Sequence, residues 1–302
     1  GRQYTVSIAL PGSIVDNAQS AELRTYLAGQ IARAAAVFNV DEIVIYDDQC
    51  QRLFESANQQ SDPHLFLSRV LQYLETPQYL RRALFPMHPD LRYARLLNPL
   101  DCPHHVRQDE PSPYREGVTL PQRNQVQSGG PVRGGSRTFV NCGLRRYVMI
   151  NRSIQPNVRV TVKMDDFEHL ETKNPSGTVV SPRMPREKDG IYWGYQIRLA
   201  NSISQVFSEC PYPGGYDLKI GTSERGDSID ETTDKMPAYR HLLVVFGGVI
   251  GIEPAVDADQ SIRYPGEDSS KLFDLWLNTC PNQGSRTIRT EVSSTTPPYL
   301  DY

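Results

Sequence analysis

Tyr216-Asp-Leu-Lys-Ile220 runs straight into Gly221-Thr-Ser-Glu-Arg-Gly226, and His241-Leu-Leu-Val-Val-Phe246 runs into Gly247-Gly-Val-Ile-Gly251. A third run, Leu272-Phe-Asp-Leu-Trp-Leu277, opens onto Asn278-Thr-Cys-Pro-Asn-Gln-Gly-Ser-Arg-Thr-Ile-Arg289. Short runs of apolar or β-branched residues bounded by turn chemistry read as strands buried on both faces, the mark of a parallel sheet. In open α/β sheets, ligands sit beyond the carboxyl ends of the strands. Three small, polar loops side by side there predict a pocket walled largely by backbone, because glycine lets main-chain groups approach a ligand closely.

The rest of the chain supports a sheet. Residues 4–10 (Tyr-Thr-Val-Ser-Ile-Ala-Leu) read as a strand stopped by Pro11-Gly12. Leu23, Leu27, Ile31, Ala34 and Phe38 step by three or four, which predicts an amphipathic helix over 16–38. Glu42-Ile-Val-Ile-Tyr46 is a second buried strand, followed by Asp47-Asp48. Ser61-Asp62-Pro63 then supplies the cap and first turn of a helix over 65–74. The order β-α-β-α starts a parallel sheet with covering helices.

Between residues 95 and 186 the pattern changes to frequent Pro, Gly and Asn, with no helix signal. Strands are expected at 116–120, 138–141, 145–150, 158–164 and 177–181, which suggests a small barrel. The α/β pattern resumes at Tyr195-Gln-Ile-Arg-Leu-Ala200, with a helix over 203–209. The expected architecture is therefore an α/β domain in two pieces, 1–94 and 187–302, interrupted by a β-barrel over 95–186. Residues 127–136 read as a flexible loop.

Composition narrows the class. The 302 residues carry a formal net charge of −3, so the whole molecule is not a polycation. No run of about 18 apolar residues occurs, so no membrane-spanning helix is expected. Gly1-Arg-Gln-Tyr-Thr-Val leads directly into a strand pattern, so no signal or transit segment is expected in these residues. Five scattered cysteines without a CxxC suit reduced thiols in a nuclear or cytoplasmic protein. The average charge conceals a local excess. From Gly117 to Met164 there is no Asp or Glu, but Arg123, Arg133, Arg137, Arg145, Arg146, Arg152, Arg159 and Lys163 are present. A basic small barrel is a natural groove for a phosphate backbone, with a solvated basic surface as the bland alternative. Phe139 and Tyr147 are the only evident stacking candidates, which favours backbone recognition over base readout.

Several chemistries find no support. Gly248-Val-Ile-Gly251 is not a GxGxxG, and no acidic residue stands where that motif needs one for a ribose. No GxxxxGK[ST] or GxSxG occurs, so neither a P-loop nor a nucleophile elbow is expected. Cys102-Pro-His104-His105 invites a metal reading, but no second ligand pair has a zinc-site spacing, so a turn into the barrel and no metal are expected. Cys280 in the third loop has no partnered base in sequence and reads as structural.

Gly221-Thr-Ser-Glu-Arg-Gly226, Val245-Phe-Gly-Gly248 with Gly251, and Asn278-Thr-Cys-Pro-Asn-Gln-Gly-Ser-Arg-Thr-Ile-Arg-Thr-Glu291 together resemble the SPOUT (SpoU–TrmD) RNA methyltransferases. The match is to the eukaryotic and archaeal branch with an OB-like insertion. Asn98-Pro-Leu-Asp101, His104-His105, Arg107-Gln-Asp109, Phe139-Val-Asn-Cys-Gly143 and Tyr192-Trp-Gly-Tyr195 extend it over nearly the whole chain. The resemblance implies a C-terminal deep trefoil knot, against the usual rule of unknotted chains. It implies S-adenosylmethionine bent in that knot, with S-adenosylhomocysteine as product. By motif position the cofactor contacts are Thr222, Arg225, Gly247, Gly248, Gly251, Asn278, Thr279, Gly284, Ser285 and Ile288. It also implies a homodimer, and ribosomal RNA as substrate, with uridine N3 the best guess for the acceptor.

Methyl transfer from a sulfonium needs alignment and a route for the acceptor's proton, not a metal. Arg225 or Arg286 can stabilise a developing anion, and Glu224 and Glu291 are candidate bases, each also fit for an ion pair. Arg133, Arg137, Arg145, Arg146 and Arg152 are the expected RNA contacts. The rival reading is a non-catalytic protein that keeps the fold for RNA, ribosome, spindle or kinetochore partners, in the nucleus, nucleolus or cytoplasm. One departure weakens the dimer: the family continues after Glu291 into an apolar helix, whereas Val292-Ser-Ser-Thr-Thr-Pro-Pro-Tyr-Leu-Asp-Tyr302 cannot form one.

Overall fold

The computed structural model describes residues 1–49, 62–121, 138–169, 171–285 and 288–290. The chain divides into two compact units: residues 3–74, 89–100 and 195–302 form one, and residues 1–2, 75–88 and 101–194 the other. The flexible-loop expectation at 127–136 falls outside the described residues.

The first unit is a six-stranded sheet, parallel at every pairing. Its strands are β1 (Thr5–Pro11), β2 (Glu42–Tyr46), β8 (Gln196–Ala200), β9 (Leu218–Ser228), β10 (His241–Val245) and β11 (Leu275–Asn278), in the order β11-β9-β10-β1-β2-β8. Every residue of β1 and β2 is buried, as their unbroken apolar runs predict. On one face Ala9, Val44, Tyr46, Leu243 and Val245 pack with Ile203 and Val206 of α5 (Ile203–Ser208) and Ala255 and Val256 of α7 (Glu253–Ala258). Burying a larger apolar side chain of this kind contributes about 1.5–3 kcal/mol. A single helical turn, α6 (Ile229–Thr232), follows β9. Glu42 is buried within the sheet and compensated, accepting from Arg198 Nε at 3.1 Å and from the Tyr216 hydroxyl.

The helix expected over 16–38 splits in two. A 3-10 turn covers Gly12–Asn17, and α1 runs Ala21–Val37 with Ser20 as its N-cap, accepting from the Leu23 amide. Leu27, Ile31 and Ala34 face the core, but Leu23 is 52% exposed because it lies in the first turn, beside the cap. Helix α2 (Pro63–Glu75) is capped by Asp62, whose Oδ1 accepts from the amides of His64 and Leu65. No helix of the described residues is long and apolar enough to cross a membrane.

The second unit holds a closed barrel of β3 (Tyr114–Thr119), β4 (Thr138–Asn141), β5 (Val148–Ile150), β6 (Arg159–Met164) and β7 (Ser176–Val180). The order is β3-β4-β5-β7-β6, closed by β3 on β6, with β5 and β7 parallel and the other pairs antiparallel. Val140, Cys142, Val148, Ile150, Val162 and Met164 fill its interior. The strand expected over 145–150 starts only at Val148, since the left-handed Gly143 (φ +75°) turns the chain and leaves Arg145 and Arg146 in solvent. Two helices of this unit escaped the sequence reading. α3 (Gln78–Leu84) is one short helix behind Pro77, and α4 (Met184–Asp189) starts with Pro185 in its first turn.

The acid-free run is not acid-free in space. Arg159 lies between Glu75 and Glu116, at 2.7 and 2.6 Å, with both carboxylates almost fully buried. Glu116 also accepts from Trp193 Nε1 (2.6 Å) and the Thr161 hydroxyl. Arg115, with no exposed surface, donates to the carbonyls of Arg107, Glu110 and Cys142. Arg159 and Arg115 are therefore structural cations. The described cysteines 102, 142, 210 and 280 are all thiols.

Candidate functional site

All six strands run the same way, so their carboxyl ends share one edge. Three segments there enclose a cavity of about 410 Å³, lined from residues 222–225, 246–251 and 278–280 together with Gln283, Ile288, Thr290 and Glu253.

The first segment is not the strand-ending loop expected from sequence. β9 pairs with β11 up to Gly221 opposite Trp276, then resumes with Asp227 opposite Leu277. Residues 222–226 bulge out of the ladder between those pairs, which presents Thr222, Glu224 and Arg225 to the cavity. Thr222 Oγ1 donates to the Val245 carbonyl (3.0 Å), fastening the bulge to β10. Asn278 Nδ2 donates to the Glu224 carbonyl (3.1 Å), fastening it to the end of β11.

The second segment folds back on itself. Gly248 and Gly251 exchange two backbone hydrogen bonds of 3.1 Å, leaving Val249 and Ile250 at an exposed tip. Gly251 takes φ +104°, a conformation side chains rarely allow, and a Cβ on Gly247 would lie 2.2 Å from the Gly251 carbonyl carbon. These two positions need glycine for the turn to close. Tyr46 donates to the Phe246 carbonyl (2.7 Å), and Thr290 Oγ1 to that of Gly247 (2.8 Å).

The third segment starts at the end of β11, which begins at Leu275 rather than Leu272 because Gly266–Leu272 form a 3-10 turn. Asn278 Oδ1 accepts from the Cys280 amide (3.0 Å), an Asx turn that aims the backbone of 278–280 into the cavity. Cys280 lines the wall half-buried.

Of the residues singled out from sequence, Thr222, Arg225, Gly247, Gly248, Gly251, Asn278, Thr279 and Ile288 meet around this one cavity. Gly284 and Ser285 do not line it; both are exposed, and a Cβ on Gly284 would touch nothing within 4 Å. Arg286 and Glu291 lie outside the described residues, as do Arg133 and Arg137. Arg145, Arg146 and Arg152 are exposed on the barrel unit, Arg145 at 3.6 Å from the equally exposed Glu171. Glu253 escaped the sequence reading. It opens α7 two residues beyond Gly251, with its Oε2 2.2 Å from where a Gly251 Cβ would be. Its signal was an acid in the first turn of a helix directly after a glycine loop.

The lining is polar backbone and small side chains, with Phe246 and Ile288 as apolar patches and Glu224 and Glu253 as acids. With Arg225 beside these acids, the cavity carries charge of both signs and suits a small polar molecule better than a lipid.

Comparison with known proteins gives the family. A family model described as "Putative RNA methyltransferase" matches residues 5–296. The chain is 52% identical over 297 residues to the human 28S rRNA (uridine-N(3))-methyltransferase, covering 96% of this chain and 76% of the relative. It is 52% identical over 297 residues to the mouse protein of the same name, covering 96% and 74%. The Drosophila melanogaster protein of that name is 45% identical over 300 residues, covering 95% and 59%. With nearly its full length matched, the chain belongs to the SPOUT-type RNA methyltransferase family.

Proposed function

We propose that the chain transfers a methyl group from S-adenosylmethionine to N3 of a uridine in ribosomal RNA, leaving S-adenosylhomocysteine. The observation that carries it is the meeting of the β9 bulge and two strand-end segments on one cavity in a member of this family. The names of the relatives supply the target.

The residues fit the cofactor. Glycines at 247 and 251 let the 247–251 turn close tightly, which brings its main-chain groups to the cavity wall. Main-chain groups of 246–251 and 278–280 can pair with the adenine edge, and Phe246 and Ile288 offer apolar surface to its ring. Glu253 is placed for the ribose hydroxyls or the cofactor's positive charge. When bound, S-adenosylmethionine supplies a methyl group activated by its sulfonium. The protein's own part is alignment and proton handling. The imide N–H of uridine is a weak acid, so Glu224 takes the proton while Arg225 stabilises the charge spreading onto the uracil oxygens.

Three further features belong to this reading. The C-terminal part of the sheet domain is knotted as a trefoil, which membership of the SPOUT-type family supports. The barrel has the strand order of an OB fold and guides RNA with Arg145, Arg146 and Arg152, joined by Arg133 and Arg137. Two copies pair, and the protein works in the nucleus, nucleolus or cytoplasm, with a spindle association as a separate role.

Calorimetry with S-adenosylmethionine tests the cofactor, and nucleoside mass spectrometry of rRNA after incubation with the protein tests the product. A folded sample that binds no cofactor at millimolar concentration would leave the non-catalytic scaffold in its place. Methyl groups found on another atom would keep the enzyme and overturn the acceptor.

A further inference from the structure

The turn Cys102-Pro-His104-His105 lies within the barrel unit, closed by the His105 amide donating to the Cys102 carbonyl at 2.8 Å. Glu75, the last residue of α2, belongs to the same unit and meets both histidines. His104 Nε2 stands 2.8 Å from the Glu75 carbonyl oxygen and 2.8 Å from its Oε1, and His105 Nε2 stands 2.6 Å from the same carbonyl. A carbonyl oxygen only accepts. Each Nε2 therefore carries a ring proton, so Nδ1 is the atom of each ring that can offer a lone pair.

Both Nδ1 atoms are buried, and neither has a hydrogen-bond partner among the described residues. The His104 side chain has no exposed surface at all. Native proteins rarely strand a buried acceptor in this way, and an ion is one of the standing reasons when they do. Two stranded acceptors on adjacent rings, with centroids 4.4 Å apart, point to one shared cause. The buried Cys102 thiol completes the group: one ligand atom from each of Cys102, His104 and His105 lies within 4.8 Å of the others.

The surroundings match a metal site's outer shell. A ligating histidine hands its second ring N–H to a carboxylate or a backbone carbonyl, which fixes its tautomer and direction. Glu75 offers one of each. Its charge is already balanced by Arg159, which donates to Oε2 at 2.7 Å and to Oε1 at 3.0 Å. The sequence spacing counts against zinc only because it shows no second ligand pair. Residue 75 is far away in the chain, and it holds rather than ligates.

We propose that Cys102, His104 and His105 bind a zinc ion, with water as the fourth ligand. A thiolate with two imidazoles selects zinc over magnesium or calcium. Zinc bonds of about 2.0–2.3 Å bring ligand atoms to roughly 3.5 Å apart, so closure takes side-chain shifts. As the zinc–sulfur bond forms, the thiol proton leaves to solvent. The ion locks the 101–105 turn in the conformation that Glu75 already orients, a structural role separate from methyl transfer.

Cobalt(II) titration of the chelator-treated full chain tests this. About one equivalent is expected, with the intense visible bands of a tetrahedral ion and a sulfur-to-cobalt charge-transfer band, both displaced by zinc. Zinc should raise the melting temperature. Cys102→Ser should lose the charge-transfer band and at least about tenfold in affinity, with its fold checked by circular dichroism. Asp48→Asn serves as a control, because Asp47, Asp48 and His64 also converge within 4.8 Å in the other unit. That variant should leave the spectrum unchanged. A folded wild-type chain with only the octahedral aqua spectrum overturns the proposal. So does a spectrum that survives Cys102→Ser or vanishes in Asp48→Asn. If Cys102→Ser does not fold, His105→Gln carries the test: the wild-type band shows a cysteine ligand, and at least about tenfold weaker cobalt binding in that variant places the ion at this turn, whereas unchanged binding overturns the proposal.

Discussion

The sheet unit and the barrel unit place their polar groups in contrasting ways. Around the 410 Å³ cavity the walls are backbone and small side chains, held by single hydrogen bonds such as Thr222 to Val245 and Asn278 to Glu224. In the barrel unit whole charges are buried and cross-linked, with Arg159 between Glu75 and Glu116 and Arg115 caged by carbonyls. A pocket that must admit and release a ligand cannot be filled with mutually satisfied ions. A small barrel with a modest apolar interior gains its unique packing from them. The difference predicts that mutations in the barrel unit act first on stability and those at the cavity first on binding.

The largest effect should come from the buried ions. Arg159→Ala leaves two buried carboxylates without their cation and should cost about 3–5 kcal/mol, seen as a lower urea midpoint. Replacing Arg159, Glu75 and Glu116 together with apolar residues of similar size should recover most of that loss. If Arg159→Ala alone proves neutral, the buried cluster is not what holds this unit.

The next effect belongs to the cavity. Gly247→Val puts a side chain where the Gly251 backbone lies, 2.2 Å from the Cβ position. S-adenosylmethionine affinity should fall at least about a hundredfold by calorimetry, roughly 2.7 kcal/mol, while circular dichroism stays native. Equal affinity in a folded variant would move the cofactor away from this loop.

The third prediction tests the exposed cations that the barrel unit does not consume. Arg145→Glu with Arg146→Glu should lower RNA affinity, and each phosphate that these arginines no longer neutralise should flatten the salt dependence by roughly 0.7. Stability should hardly change, because the Arg145–Glu171 pair is exposed. Unchanged RNA binding would remove this edge of the barrel from recognition.

The contrast also explains what the sequence could reveal. Strands β1, β2 and β10 were legible because burial on both faces leaves an unbroken apolar run, and most of the cavity's residues were legible from glycine-rich segments following such runs. The β9 bulge was not, since pairing on both sides of 222–226 depends on β11, far along the chain. Counting eight cations in an acid-free segment overstated the free charge, because Glu75 and Glu116 lie outside that segment and claim Arg159. Periodicity reports burial well, but it carries no record of which distant charge answers which.

The smallest expected effect probes a carboxylate of the sheet unit that behaves like the barrel's. Asp259 is buried and accepts from the amides of Ser204 (2.9 Å) and Ser261 (3.0 Å) and from the Ser261 hydroxyl (2.7 Å). Burial alone would raise its pKa, but these donors outweigh burial and bring it down to about 2. The folded value lies below the unfolded one near 3.8, so the ionised form stabilises the fold. That contribution is present in full above about pH 4–5 and is lost as pH falls through 2, by about 1–2 kcal/mol. Asp259→Asn should remove it, flattening that part of the acid limb in urea midpoints measured against pH. An acid limb that keeps its slope in Asp259→Asn would assign the loss to other groups. The sheet unit would then keep its buried charge at the Glu42–Arg198 pair and none that the fold depends on at this corner.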